Sequence, residues 1–269
     1  MPTKKQKRSE KQLRNQKKQK QKYPTLLKNI VESSDIILEI LDARFVQNTR
    51  NLEIEELIKK QNKKIIYILN KSDLADKPRS PRNLVPNVMV SCKLRKGVTK
   101  LRNLIKIESK KVKKDKVTVG VIGYPNTGKS SIINVLIGKS SAGTGADAGF
   151  TKGIQKLKLT SEIMLLDSPG VIPEKEYSGV KKDAIAKHTI VGGRSHSQVK
   201  DPEIVVANIM NEFEEVLEKH YRIKAGGDSE LLLEKLGKKC NFLKKGGEVN
   251  FDKTARMILK EWQEGKIRV

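Results

Sequence analysis

From Tyr23 onward the chain switches repeatedly between two hydrophobic periodicities. Leu26, Leu27, Ile30 and Val31 recur at helical spacing and lead into the apolar run Ile36-Ile37-Leu38-Glu39-Ile40-Leu41, which reads as a helix feeding a buried strand. Helical spacing returns at Leu52, Glu55, Glu56 and Ile58, followed by strand-like runs at Ile65–Leu69 and Val88–Val90. An amphipathic helix is expected over Thr99–Lys111, then a strand over Val117–Ile122 and a helix carrying Ile132, Ile133, Val135 and Leu136. Two more strands are expected near Ile154–Leu159 and Glu162–Leu166. Short apolar strands alternating with helical stretches predict parallel strands joined by crossovers, with ligands held at the strands' carboxyl ends.

Past about Tyr177 the strand signals stop, and helical patterns occupy Glu203–Tyr221, Ser229–Leu236 and Phe251–Glu264. Phe251, Ala255, Ile258 and Trp262 form one apolar face, with Lys253, Arg256 and Lys260 off it. The plain alternative to a binding surface there is an amphipathic helix with a solvated basic side. At the other end, Met1–Lys22 is built of Lys, Gln and Arg and cannot bury enough surface to fold alone. The expected organisation is therefore a basic arm at 1–22, an α/β domain at 23–176 and a smaller helical domain at 177–269, without internal repeats.

Charge changes this picture by suggesting a partner. The net charge is +25, of which the arm carries +9 and the remaining chain +16, so the positive field belongs to the folded body as well. Such an excess pulls toward a polyanion: RNA, DNA or an anionic membrane. No apolar run approaches the roughly 20 residues of a membrane span, and no apolar stretch near the N-terminus marks a secretory signal, which predicts a soluble protein of the cell interior. Cys92 and Cys240 have no metal-ligand spacing around them, so neither a disulfide framework nor a zinc site is expected. His188, His196 and His220 show no metal or triad spacing and are expected to be structural or on the surface.

The chemistry concentrates at strand ends. Gly123-Tyr124-Pro125-Asn126-Thr127-Gly128-Lys129-Ser130, with a strand before it and a helix after it, matches the phosphate-binding loop, and Ser131 continues it. Gly128 lets backbone N–H groups close around phosphates, Lys129 should reach the β- and γ-phosphates, and the Ser130 hydroxyl should bind Mg²⁺. Asp167-Ser168-Pro169-Gly170 follows a strand 37 residues after Ser130. Asp167 there can hold the Mg²⁺ shell, and the Gly170 amide can contact a γ-phosphate and let it go after hydrolysis. Gly138–Gly149 reads as a mobile loop ending near Thr151, whose oxygens could complete the metal shell.

Asn70-Lys71-Ser72-Asp73 follows the strand Ile65–Leu69 and selects the base. The Asp73 carboxylate can accept from guanine N1–H and its 2-amino group, a donor pair adenine lacks, so guanine is favoured. Ser91-Cys92-Lys93 would place a backbone amide near guanine O6 and lay the Lys93 stem over the base. Both base motifs precede the phosphate loop, the reverse of the usual order. The same strands can occupy the same places if the usual termini are joined and the chain is opened elsewhere, so a circularly permuted P-loop GTPase domain is predicted, a mostly parallel sheet flanked by helices.

This order, with Asp42-Ala43-Arg44 after the first strand, resembles the circularly permuted GTPases of ribosome assembly, the YlqF/YawG-like group. The stretch Leu243–Arg256 and the closing Trp262–Lys266 are similar to that group's C-terminal signature, and the likeness covers about residues 24–264. The chain lacks the Trp-Phe-Pro-Gly-His element of the bacterial branch, which points to an archaeal or nucleolar-type branch. The resemblance implies a monomeric GTPase that binds GTP or GDP with Mg²⁺ and contacts rRNA of a precursor of the large ribosomal subunit through its helical domain. It implies a cytoplasmic setting, or a nucleolar one in a eukaryote. Val171 stands where many GTPases carry a water-orienting Gln, which implies slow intrinsic turnover stimulated by the particle. Asn126 is similar to the Asn that accompanies K⁺ near the phosphates in related GTPases; as a bare loop residue it is a turn former. Lys129, Thr151, Gly170 and Asn126 are thus the catalytic candidates, and a guanine-nucleotide-regulated RNA scaffold with negligible hydrolysis is the alternative.

Overall fold

The computed structural model describes residues 25–76, 80–138, 155–168, 188–192 and 195–269. The arm at 1–22, Thr151, Gly170 and Val171 lie outside the described residues. Six strands, β1 (Ile36–Asp42), β2 (Lys64–Asn70), β3 (Asn87–Met89), β4 (Val117–Gly123), β5 (Gln155–Lys158) and β6 (Ile163–Asp167), form one sheet in the order β3-β2-β1-β4-β6-β5. Every neighbouring pair is parallel except β5, which lies antiparallel on β6 at the edge. Parallel neighbours need a crossover between them, and the helices α1 (25–33), α2 (Val46–Thr49), α3 (Leu52–Lys60), α4 (Val98–Lys111) and α5 (Lys129–Ile137) lie between or flank these strands.

The two faces of the sheet follow from strand alternation. Ile36, Leu38 and Ile40 of β1 cluster with Leu101 and Ile105 of α4 and Ile132 and Ile133 of α5. Ile37, one position out of phase, clusters with Ile122, with Leu27, Ile30 and Val31 of α1, and with Ile58 of α3. All seven residues of β1 are therefore buried, as expected of a strand covered on both faces. Glu39 is the exception in kind: fully buried, it accepts the Asn51 N–H at 2.9 Å through one oxygen and leaves the other without a partner. Burial, with the nearby Glu55 carboxylate, holds its pKa well above the ordinary range.

The C-terminal part contains α6 (Pro202–Glu212), α7 (Val216–Tyr221), α8 (Ser229–Lys239) and α9 (Phe251–Glu264). The helical stretch expected over Glu203–Tyr221 is thus divided into two helices. Glu215 takes φ +58, a left-handed conformation that ends a right-handed helix, and Phe213 sits in the break with its ring 5.2 Å from Trp262 and 5.6 Å from Phe45. The helices share a core with Trp262 at its centre, and Phe45 and Tyr124 from the sheet region join the same cluster. No described helix is long and apolar enough to cross a membrane.

Helix α9 begins where the Asn250 side chain accepts the Lys253 N–H at 3.0 Å and ends on Gly265 at φ +73. Ala255, Ile258 and Trp262 of its apolar face are fully buried. The off-face cations are engaged within the fold. Arg256 donates to the carbonyls of His196 and Val199, both at 3.0 Å, besides pairing with Asp252. Lys253 lies 4.1 Å over the Phe242 ring, and Lys260 faces Glu264 at 3.9 Å. The basic side of α9 is therefore partly a packing device rather than a freely solvated face.

Candidate functional site

Asp42, Asn70, Gly123 and Asp167 are the last residues of β1, β2, β4 and β6, so the parallel strands deliver the motifs to one edge of the sheet. The phosphate loop bridges β4 and α5. Gly128 holds φ +94, and a Cβ there would stand 2.3 Å from the Asn70 amide nitrogen, so this position needs glycine both for its backbone and for the neighbour it admits. Thr127 is buried with its hydroxyl on the Tyr124 carbonyl at 2.9 Å, which shapes the loop from inside.

Lys129 is buried and donates to the carbonyls of Gly123, at 3.0 Å, and Tyr124, at 2.9 Å. Burial pushes its pKa down to about 8, although the Asp167 carboxylate pulls the other way. Asp167 is buried with neither oxygen in a well-formed hydrogen bond. Burial pushes its pKa up to about 6 against the pull of the Lys129 ammonium and the Ser168 amide. A desolvated carboxylate without a well-formed hydrogen bond is costly, and a cation is a ligand that relieves it. Carboxylate and hydroxyl oxygens suit a hard ion such as Mg²⁺, so Asp167 and Ser130 fit the metal expected here. Ser168 donates its hydroxyl to the Val121 carbonyl at 2.7 Å and fixes the chain as it leaves β6.

On the base side, the Asn70 amide donates to the Thr127 carbonyl at 2.8 Å. That bond ties the end of β2 to the phosphate loop, 57 residues away in sequence. Asp73 accepts the Ser91 hydroxyl at 2.5 Å, and Ser91 in turn accepts the Leu94 N–H at 3.1 Å, so the two base motifs hold each other. The Cys92 thiol reaches the Asn70 side-chain oxygen at 3.4 Å. Burial, then the Asp73 carboxylate, pushes the thiol up to about 11, which keeps it protonated and unreactive. Asn70, Lys71, Asp73, Cys92, Lys93, Gly128 and Ser131 line one cavity of about 460 Å³. Sequence motifs separated along the chain thus share one wall, with dimensions suited to a small ligand.

Asn126 takes φ +60 and donates its side-chain amide to the Gly192 carbonyl at 2.7 Å, so its orientation is set by the segment 188–192. His188 is buried with its ring 6.0 Å from Tyr124, His220 lies 3.8 Å from Glu261, and the His196 backbone contacts Gln263. Two features escaped sequence reasoning. Asp42, fully buried at the end of β1, binds both Arg44 and Lys71, and Glu264 of α9 lines the base cavity. An acid and a base two residues apart at a strand's carboxyl end signal the first; nothing local marks the second.

Comparison with known proteins agrees with this geometry. Residues 118–225 match the family model described as 50S ribosome-binding GTPase. Over 255 residues the chain is 38% identical to an uncharacterized GTP-binding protein of Methanocaldococcus jannaschii, covering 90% of this chain and 65% of that protein. It is 34% identical to nucleolar GTP-binding protein 2 of Pneumocystis carinii, covering 88% and 51% respectively. The chain therefore spans about half to two-thirds of the length of these relatives. The GNP-bound crystal structure of YlqF from T. maritima superposes with a TM-score of 0.63 at 23% identity, covering 92% of this chain and 95% of that one.

Proposed function

We propose that this chain is a circularly permuted P-loop GTPase that binds and hydrolyses GTP and acts as a switch on a precursor of the large ribosomal subunit. The observation that carries the reading is the Asn70–Thr127 bond, which brings the guanine turn against the phosphate loop despite their inverted order. In this reading Asp73 accepts two hydrogen bonds from guanine, the Lys71 and Lys93 stems flank the base, and the amides around Ser91 and Cys92 meet O6. Lys129, with the amides of Gly128, Ser130 and Ser131, cradles the phosphates. Bound by Ser130, Asp167 and Thr151, Mg²⁺ would supply positive charge to the β- and γ-oxygens. Gly170 reports the γ-phosphate.

Val171 offers no group to orient water, so hydrolysis by the chain alone is slow and answers to the particle, and K⁺ near Asn126 would supply positive charge there. The arm at 1–22 and the helical part at 177–269 supply the RNA-facing cations, and the GTPase domain spans 23–176. Support for the ribosomal partner comes from the family description and from the nucleolar relative. The setting that follows is the cytoplasm, or the nucleolus in a eukaryote.

Val171 also favours a second reading, an RNA scaffold that binds guanine nucleotides and scarcely hydrolyses them. Titration calorimetry with GDP, GTP and ADP in Mg²⁺ tests the shared premise: guanine nucleotides bind, and ADP binds at least about a hundredfold more weakly. Equal affinity for ADP would overturn both readings. Hydrolysis faster in K⁺ than in Na⁺ at matched ionic strength separates the switch from the scaffold.

A further inference from the structure

Besides Glu264, which lines the cavity, α9 is tied through Trp262 to both the Asn70–Asp73 turn and the phosphate loop. On the base side, the backbone carbonyl of Trp262 accepts Arg44 Nη1 at 3.2 Å. The rest of the same guanidinium grips the Asp42 carboxylate in a two-pronged contact, Nε to Oδ1 at 3.0 Å and Nη2 to Oδ2 at 2.9 Å. Asp42 Oδ2 also accepts Lys71 Nζ at 2.8 Å. On the phosphate side, the Trp262 indole N–H donates to the Ile190 carbonyl at 3.0 Å, and two residues on Gly192 accepts from Asn126 of the phosphate loop.

The Arg44–Asp42 pair in this chain of contacts is closed to water, while Lys71 reaches it from the half-open side. The Arg44 side chain is 2% accessible and that of Asp42 is 0%. Burial alone would raise the Asp42 pKa, yet the Lys71 ammonium and the Arg44 guanidinium hold it well below the ordinary carboxylate range. Lys71 itself takes φ +59, and its ammonium is held on Asp42, which Arg44 grips in turn. The tail beyond α9 adds to this clamp. The Asp76 N–H donates to the Val269 carbonyl at 2.8 Å, and a Cβ on Gly265 would meet Leu74 at 2.4 Å. Residues 71–76 of the guanine turn are thus held between β1 and the last residues of the chain.

We infer that Arg44 is a positioning residue for guanine recognition, holding Lys71 through Asp42 in the orientation the base requires, and that it does so only while α9 is docked. This inference rests on the guanine-nucleotide reading of the cavity. Because coupling between two equilibria is reciprocal, a base that fixes Lys71 must also tighten the docking of α9. The helical part then senses the base as well as the phosphates, and Trp262 is where both contacts meet.

The test uses the full chain and its single tryptophan, Trp262, as reporter. Arg44→Lys keeps a positive charge beside Asp42 but cannot fork to both the carboxylate and the Trp262 carbonyl. It is expected to lower GDP affinity about tenfold while leaving the affinity for inorganic pyrophosphate, which meets only the phosphate loop, within about twofold. In the wild type, GDP is expected to shift Trp262 emission, and in Arg44→Lys that shift is expected to shrink. Equal loss of GDP and pyrophosphate binding would show general damage and overturn the positioning role, as would unchanged GDP affinity. Should the variant not fold, the wild type alone decides: emission unmoved at saturating GDP overturns the coupling. A wild type that binds no GDP at all sinks the nucleotide reading instead, so the two failures are distinct.

Discussion

Asp73 and Glu39 are both carboxylates of the sheet region, and their surroundings give them opposite work. Asp73 sits at the cavity wall with Ser91 on one oxygen, and under the proposed guanine reading its replacement should change which base is accepted. Asp73→Asn is expected to weaken GDP binding on the order of 100-fold and to favour xanthosine diphosphate, measured by competitive titration of the two nucleotides. An unaltered preference for GDP refutes the base assignment. Glu39 lies in the sheet interior, where Glu55, Arg50, Asn51 and Tyr67 surround it, and its folded pKa is raised. A raised carboxyl pKa contributes stability that is present below the unfolded value and lost as pH rises toward the folded value. Glu39→Gln keeps an oxygen for the Asn51 N–H and removes the charge. Its melting temperature is therefore expected to exceed that of the wild type by about 2–6 °C at pH 7.5, with little difference at pH 4. The place of Asp73 at a strand's carboxyl end was legible because its four-residue motif follows a strand. The buried strand around Glu39 was legible from its apolar run, but its neighbours Arg50, Asn51, Glu55 and Tyr67 were not, because tertiary packing brings them there.

Among the elements, α9 carries more of the account than its length suggests. Its period was readable from Phe251, Ala255, Ile258 and Trp262, and both ends carry local signals, Asn250 before it and Gly265 after it. Asn250→Ala is expected to cost about 1 kcal/mol, a drop of about 2–4 °C in melting temperature followed by circular dichroism. Because α9 bears Trp262 and Glu264, the same variant is expected to weaken GDP binding when measured near its melting point and not at low temperature. The break between α6 and α7 was not legible. Helical spacing runs through Phe213, and only the tertiary contact of its ring with Phe45 and Trp262 favours the turn. Arg256 teaches a related point, since a cation off an apolar face looked solvated until the carbonyls of His196 and Val199 were found in its reach.

At the scale of the whole molecule, the inverted order of motifs is what sequence displayed most clearly, because each motif keeps its strand and helix context wherever the chain is opened. Less visible was that the C-terminal helices would share a core with Phe45 and Tyr124, so that the sheet and the helical part are packed as neighbours through the phosphate loop and β1. The net charge of +25 belongs to this scale too. If the chain meets rRNA through six phosphates, its affinity is expected to fall about a thousandfold between 50 and 200 mM salt, checked by filter binding across that range. A flat salt profile would place the cations away from the RNA. The most direct measurement of the central claim is phosphate release from GTP by the full chain, over many turnovers, with and without large ribosomal subunits. The expected result is slow, guanine-specific release alone and at least about tenfold faster release with the particles. The same rate in both conditions, or equal hydrolysis of ATP, would contradict a GTP switch that answers to the ribosome.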